Sequence, residues 1–381
     1  MQASDDGLDD GRDDGRDDWH DVGDAAALAT RRVQEVRVAG APIALTCVDG
    51  EFRAVSGVCN HVGGPLGQGQ LDGDYLVCPW HQWKFHRATG QGEAGFEGDQ
   101  IPVHDVRVVD GRVQVRGRPT VRRKKKPHAP HPLARRPERA PGPPRVLGLS
   151  TTHMDVEHPR YSGSDDLLAA ALAGAAADGA ETRLLRLAEL SVRTCEGFYS
   201  KAARACTWPC SITQRDPDDQ MERVYEHLVH WADVVLLATP IRWGVASSLY
   251  FRMAERLNCV QNQITTHDRV LIRNKVAGFL IVGGQDNVQG VAGQLLGFFS
   301  ELGFMFPQFP YVAHSRGWSA EDMERNVAAV RDSAELHDGA RALAGRALAL
   351  SRHLLEGQLP STPEQTPRGG RKAHRLTVID R

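Results

Sequence analysis

No stretch of this chain approaches the run of about eighteen apolar residues that crosses a bilayer. Its N-terminus also lacks the basic start and apolar run of a secretory leader. Both absences argue for a cytoplasmic protein with no membrane partner. No Gly-x-Gly-x-x-Gly signature occurs, which speaks against a resident Rossmann-bound NAD. Cysteine is sparse and odd in number, seven in 381 residues, so a secreted disulfide framework is not expected. A net charge of -2 argues neither for nor against a polyanion partner for the chain as a whole, and the charge is unevenly spread. What remains is ordinary globular composition, 41% apolar and 25% charged, in a chain long enough for two or three domains.

Residues 1–24 are rich in Asp and Gly, with almost nothing to bury, and are expected to be a disordered acidic tail. From 25 to 117 short β-rich runs alternate with hairpin signals at Asp49-Gly50 and Asp110-Gly111, which reads as a small all-β domain. Residues 118–144 form the Pro-rich core of a basic stretch; residues 116–145 carry eleven Lys or Arg against one Glu, and eight prolines. That composition predicts a solvated, semi-rigid linker. Its basic run Arg122-Arg123-Lys124-Lys125-Lys126 has no interleaved aromatics, so no nucleic-acid partner is expected.

Two short arms, Cys59-Asn60-His61 and Cys78-Pro79-Trp80-His81, stand sixteen residues apart, and each supplies one thiolate and one imidazole. That set suits two unequal irons, Cys59 and Cys78 on one, His61 and His81 on the other, as in a mixed-ligand [2Fe-2S] cluster. A structural Cys2His2 zinc site is the competing reading. Gly63, Gly64 and Gly67 permit a tight loop. The surrounding Cys-Asn-His-Val-Gly-Gly and Cys-Pro-Trp-His-Gln-Trp resemble the Rieske ferredoxin family. Gly64 and Trp80 stand where the high-potential respiratory type carries extra cysteines. The resemblance therefore implies the lower-potential branch, near the bottom of roughly -150 to +300 mV, with His61 and His81 at an exposed end.

From 145 to 356 the pattern changes to alternating strand and helix. The strands are expected near 145–150, 184–187, 232–240, 276–284 and 309–313, and the helices over 165–176, 218–231, 247–258, 288–303 and 320–356. Five βα units imply a parallel sheet covered on both faces. A doubly wound, flavodoxin-like α/β domain with strand order 2-1-3-4-5 is the natural solution. Residues 357–381 read as a flexible tail.

In such a sheet the ligand lies beyond the carboxyl ends of the strands. Ser150 and then Arg160, Ser162, Gly163 and Ser164, leading into a helix, form a possible phosphate cradle, although Ser-rich helix starts also serve as simple caps. Pro240-Ile241-Arg242-Trp243-Gly244 and Gly283-Gly284-Gln285 follow two later strands. These loops resemble the flavin-lining segments of the NAD(P)H-dependent FMN reductase and iron-sulfur flavoprotein families, which implies FMN as cofactor and NAD(P)H as donor. Cys195, Cys206 and Cys210 leave three readings open: part of a second cluster, a reactive pair, or an inert loop. Cys47 and Cys259 read as buried thiols.

Taken together, these features predict an oxidoreductase that moves electrons between NAD(P)H, FMN and a [2Fe-2S] cluster, to a small-molecule or protein acceptor. The alternatives are a reductase whose Rieske part is a docking module, and a redox sensor. No residue reads as a catalytic acid, base or nucleophile. A homo-oligomer through the flavodoxin-like domain is expected.

Overall fold

Hairpin chemistry shapes the first half of the chain. Asp49-Gly50 and Asp110-Gly111 each turn in two residues at positive φ, 50° and 82° in one and 49° and 72° in the other. This geometry matches the twist of the flanking strands, and Asp-Gly adopts it at little cost. The computed structural model describes residues 18–126, 129–267, 269–283, 287–317 and 319–357. The chain divides into two units, one ending at Ala129 and the other beginning at Pro130.

The first unit contains β1 (Trp19–Asp24), β2 (Val33–Val38), β3 (Ala41–Val48), β4 (Glu51–Ser56), β5 (Gln70–Asp72), β6 (Tyr75–Val77), β7 (Lys84–His86), β8 (Val103–His104), β9 (Val106–Val109) and β10 (Arg112–Arg116). They form antiparallel sheets of order β2-β3-β4-β8, β1-β10-β9 and β5-β6-β7. Val38, Ile43, Leu45 and Ala54 from the first sheet pack with Val113 and Val115 from the second. The third sheet is little more than a support for the second Cys-His arm, which occupies the β6–β7 connection.

Two expectations fail here. Residues 18–24 are not part of a disordered tail: Trp19–Asp24 pairs with β10, with Trp19 opposite Arg116. Arg112 grips Asp21 at 2.7 and 2.8 Å, and the Arg107 guanidinium lies 4.2 Å from the centre of the Trp19 ring. A strand held by partners about ninety residues away leaves no local periodicity to read. Residues 1–17 lie outside the described residues.

The Pro-rich segment also differs from a solvated linker. Val121 bridges to Val103 and Lys124 to Gln100 within the first unit. In the second unit Leu133 is buried, Arg135 pairs with Glu226 at 2.6 Å and Arg139 with Asp233 at 2.9 Å. Proline removes a backbone donor, but carbonyls and long cationic side chains remain to bind. Pro127 and His128 lie outside the described residues.

The second unit has a five-stranded parallel sheet of β11 (Arg145–Ser150), β12 (Glu181–Arg186), β13 (Val234–Ile241), β14 (Val276–Gly283) and β15 (Tyr311–Ser315). Its order is β12-β11-β13-β14-β15, which is 2-1-3-4-5 in the unit's own count. Successive side chains of a strand face opposite ways. Leu147, Val235, Leu237 and Phe279 accordingly join one core with helices Ser248–Arg256 and Val288–Leu302. Val146, Val234, Leu236 and Leu280 join the other with helices Gly163–Ala177 and Ala334–Leu355.

Several helices break where continuity was expected. Ala320–Arg331 and Ala334–Leu355 are separate, because Ser333 caps the second by accepting from the Leu336 N–H at 3.2 Å. The 218–231 stretch is Met221–Tyr225 followed by a π-helical turn, Glu226–Trp231. Ser248–Arg256 is followed by a further helix, Asn258–His267. Among the described residues no helix is long and apolar enough to cross a membrane.

Candidate functional site

Each Cys-His arm is a loop closed on itself. In the first, the Cys59 N–H donates to the Gly64 carbonyl at 2.9 Å and the Gly63 N–H to the Cys59 carbonyl at 3.1 Å. In the second, the Cys78 N–H donates to the Trp83 carbonyl at 2.8 Å and the Gln82 N–H to the Cys78 carbonyl at 3.0 Å. Gly63 sits at φ 79°, where a side chain would strain the turn. Gly64 has a different reason: a Cβ there would lie 2.7 Å from Cys78 Sγ.

These loops bring the four side chains together as two pairs. The Cys59 thiol donates to Cys78, which pushes Cys59 up and brings Cys78 down. The Nδ1 atoms of His61 and His81 face each other at 2.9 Å. Sulfur donors in one pair and imidazole nitrogens in the other form the donor set that a mixed-ligand [2Fe-2S] cluster requires. Among the described residues no three or more Cys, His, Asp or Glu side chains surround a single point as one ion requires.

The expectation of two exposed histidines is half right. His81 is buried, at 1% exposure, whereas His61 is half-buried. The Trp83 ring lies flat on His61, with centroids 4.7 Å apart at 4°. Trp80 stands edge-on to His81 at 6.4 Å.

The second site is a cavity of about 750 Å³ at the carboxyl ends of β11, β13 and β14. Arg160, Ser162, Gly163 and Ser164 meet Pro240, Ile241, Arg242, Trp243 and Gly283 on its wall. Ser162 caps the helix Gly163–Ala177 by accepting from the Asp165 N–H at 3.3 Å. Arg242 and Val245 close a two-residue turn at 2.8 and 3.0 Å, with Trp243 at its tip and 89% exposed. Trp243 and Gly244 both have positive φ, 51° and 73°.

Two sequence-predicted residues do not face the cavity. Ser150 is buried beneath it, donating to Asp165 Oδ1 at 2.6 Å. Thr152 takes its place on the wall, bonding Ser164 and Asp165, each at 3.0 Å. Gly244 turns its carbonyl to Asn287 Nδ2 at 2.6 Å, so its part is to shape the loop. Gly284 and Gln285 lie outside the described residues.

Sequence reasoning missed His153, Met154, Tyr161, Asn326 and Val327 on the wall. The first three belong to the connection between β11 and the helix Gly163–Ala177, which carries no helical or strand pattern. The Asn326 amide oxygen is buried without a hydrogen-bond partner, a feature that only packing reveals.

Cys195 and Cys206 each accept a hydrogen bond at sulfur. Cys195 accepts from the Gly197 N–H at 3.4 Å and is pushed up by burial. Cys206 accepts from Asn258 Nδ2 at 3.3 Å, and burial pushes it up to about 11. Cys210 and Cys259 are buried.

A Rieske [2Fe-2S] domain model matches residues 18–104, and an NADPH-dependent FMN reductase model matches 158–319. Ferredoxin CarAc of Metapseudomonas resinovorans is 33% identical over 100 residues, 26% of this chain and 94% of that protein. The chain belongs to the Rieske [2Fe-2S] ferredoxin family. It carries, in addition, an NADPH-dependent FMN reductase domain. The ferredoxin subunit of anthranilate 1,2-dioxygenase from Burkholderia cepacia is 32% identical over 98 residues, 26% of this chain and 90% of that protein. The 8-demethyl-8-aminoriboflavin-5'-phosphate synthase of Streptomyces davaonensis is 30% identical over 107 residues, 28% of this chain but only 36% of that protein. A crystal structure of RosB with a bound intermediate, 8-demethyl-8-formylriboflavin-5'-phosphate, aligns with TM-score 0.47 and 21% identity, over 62% of this chain and 88% of that one. The Rieske domain implies a [2Fe-2S] cluster, and the reductase domain implies FMN with NAD(P)H as donor. The chain is an oxidoreductase of the electron-transfer type.

Proposed function

We propose that Cys59 and Cys78 ligate one iron of the cluster and His61 and His81 the other. The carrying observation is the sorting of four side chains into a thiol pair and an Nδ1 pair. The Trp83 ring packed on His61 covers the half-buried ligand and leaves its edge as the point of electron exchange.

In the second unit we propose that the cavity holds FMN. Gly163 and Ser164 begin a fifteen-residue helix capped by Ser162, and the free N–H groups and dipole of that helix favour a phosphate. Arg160 adds a cation on the same wall. Pro240 to Trp243 and Gly283 would line the flat ring, with Trp243 at the mouth. FMN accepts two electrons as a hydride and can release them singly, whereas a [2Fe-2S] centre carries one, so their union in one chain suits two-to-one electron conversion. The protein's own contribution is positioning. Thr151 anchors the β13 loop by accepting from Ser247 Oγ at 2.6 Å through its carbonyl, and Asn287 ties that loop at Gly244.

The acceptor is a small molecule or a protein. All seven cysteines are free, which suits a reducing compartment such as the cytoplasm. The direct test is absorption and EPR of anaerobic holoprotein before and after NADH or NADPH. Flavin bleaching together with a Rieske-type EPR signal supports the reading. Bleaching with a cluster that stays oxidised would instead make the Rieske part a docking module.

The synthase relative favours a second reading, in which a flavin phosphate is substrate rather than resident cofactor. Mass spectrometry of the flavin after turnover separates the two, since a cofactor leaves with its mass unchanged.

A further inference from the structure

The basic run that composition assigns to a linker lies against the first Cys-His arm. Arg123 donates through Nη2 to Ser56 Oγ at 2.8 Å, and both its Nη atoms reach the Val58 carbonyl at 3.2 and 3.1 Å. It also bonds Asn60 Oδ1. Asn60, buried between Cys59 and His61, answers by donating to the Lys124 carbonyl at 2.8 Å. Lys125 Nζ donates to the His61 carbonyl at 3.2 Å, and the Lys126 N–H to Asp99 Oδ1 at 3.1 Å. Backbone pairing of Lys124 with Gln100, and of Val121 with Val103, fixes the segment's path.

This segment lies beyond residue 104, where the Rieske match ends, and five consecutive cations are not needed to close a loop. We propose that Val121–Lys126 is a cationic strap that positions the Cys59–His61 arm and raises the reduction potential of the cluster, with Arg123 and Lys125 as its positioning residues. The proposal rests on the ligand assignment above. Reduction adds one negative charge at the centre. A guanidinium and an ammonium bonded to backbone flanking the ligands favour that state, and because both residues are exposed the effect should weaken as salt rises. Asn60 couples the two functions, because the same amide touches the strap and sits between two ligands.

The experiment is redox titration of holoprotein with EPR detection, comparing wild type with R123K, R123Q and K125Q. Arg123→Gln removes the charge while keeping an amide donor. It should weaken electron uptake about tenfold, a downward shift of about 59 mV for a one-electron couple. Arg123→Lys keeps the charge and should stay near wild type, and Lys125→Gln should weaken uptake about threefold. A strap that only braced the loop would alter thermal stability in R123Q without separating R123Q from R123K in potential. Unchanged midpoints in R123Q and K125Q, with the Rieske spectrum intact, would overturn the proposal. If R123Q fails to load, K125Q decides by the same criterion. A wild-type protein with no Rieske spectrum would instead overturn the ligand assignment itself.

Discussion

Replacing Asp219 with Asn should destabilise the second unit severely, and the structure sets the scale. Asp219 and Arg256 are both wholly buried and meet through two bonds, 2.7 and 2.9 Å. Thr213 Oγ1 and the Arg193 N–H also donate to the carboxylate, at 2.7 and 3.0 Å. Burial alone would raise the Asp219 carboxyl, but these donors outweigh it and hold it below the usual range. Asn keeps the shape and leaves Arg256 buried without its counter-charge. Breaking one side of such a pair costs about 3–5 kcal/mol. At about 2–4 °C per kcal/mol for a unit of this size, the midpoint should fall by about 6–20 °C. Calorimetry of the full chain, following the transition of the second unit, measures it. The double variant D219L/R256M should recover at least half of the loss, because the desolvated charges vanish together. The contribution of the carboxylate is complete above about pH 3.9 and disappears as pH falls through its lower folded value, a dependence that D219N should lack. A shift under 2 °C, or a double variant as unstable as D219N, would refute the reasoning.

Cys78→Ser should abolish the cluster's visible absorption and EPR signal while the purified protein keeps its full FMN content, since the two sites lie in separate units. Gly64→Ala should lower iron content sharply, because its Cβ would lie 2.7 Å from Cys78 Sγ, and iron per chain equal to wild type would contradict that. His337 donates to the Ser333 carbonyl at 2.7 Å and pairs with Asp166 at 3.0 Å, and the Ser333 bond first, then Asp166, raise it above its ordinary 6.5. Its stabilisation should be fully present below pH 6.5 and fade as pH rises through the folded value. The Tm difference between wild type and H337N should therefore be largest in acid and shrink towards pH 8.

Short-range patterns carried much of this protein. The two Cys-His arms were legible as a motif because residue type and spacing lie within single loops. Buried apolar runs such as 234–241 and 276–283 identified the parallel sheet, since a strand covered on both faces has no polar side to show. The proposed phosphate cradle was read from residue types at a helix start, and Arg160, Ser162, Gly163 and Ser164 do share one cavity wall. Its full membership was not legible: Ser150 and Thr152 differ only in which side of the loop they face, and packing of Asp165 decides that.

Other features depended on distant partners. Trp19–Asp24 looks like a disordered tail until Arg112 and Arg107 arrive from the far end of the domain. His81 was expected at the surface, but the Trp80 loop buries it. Sequence by itself determined that a Rieske [2Fe-2S] part and an FMN reductase part share the chain, because donor identity, loop glycines and strand periodicity are local properties. Tertiary structure alone decided that Arg123 and Lys125 lie on the cluster arm, that the pair Asp219–Arg256 is sealed in the core, and which hydroxyls face the cavity. Those depend on hydrogen bonds between segments tens of residues apart, and no local pattern encodes the address of such a partner.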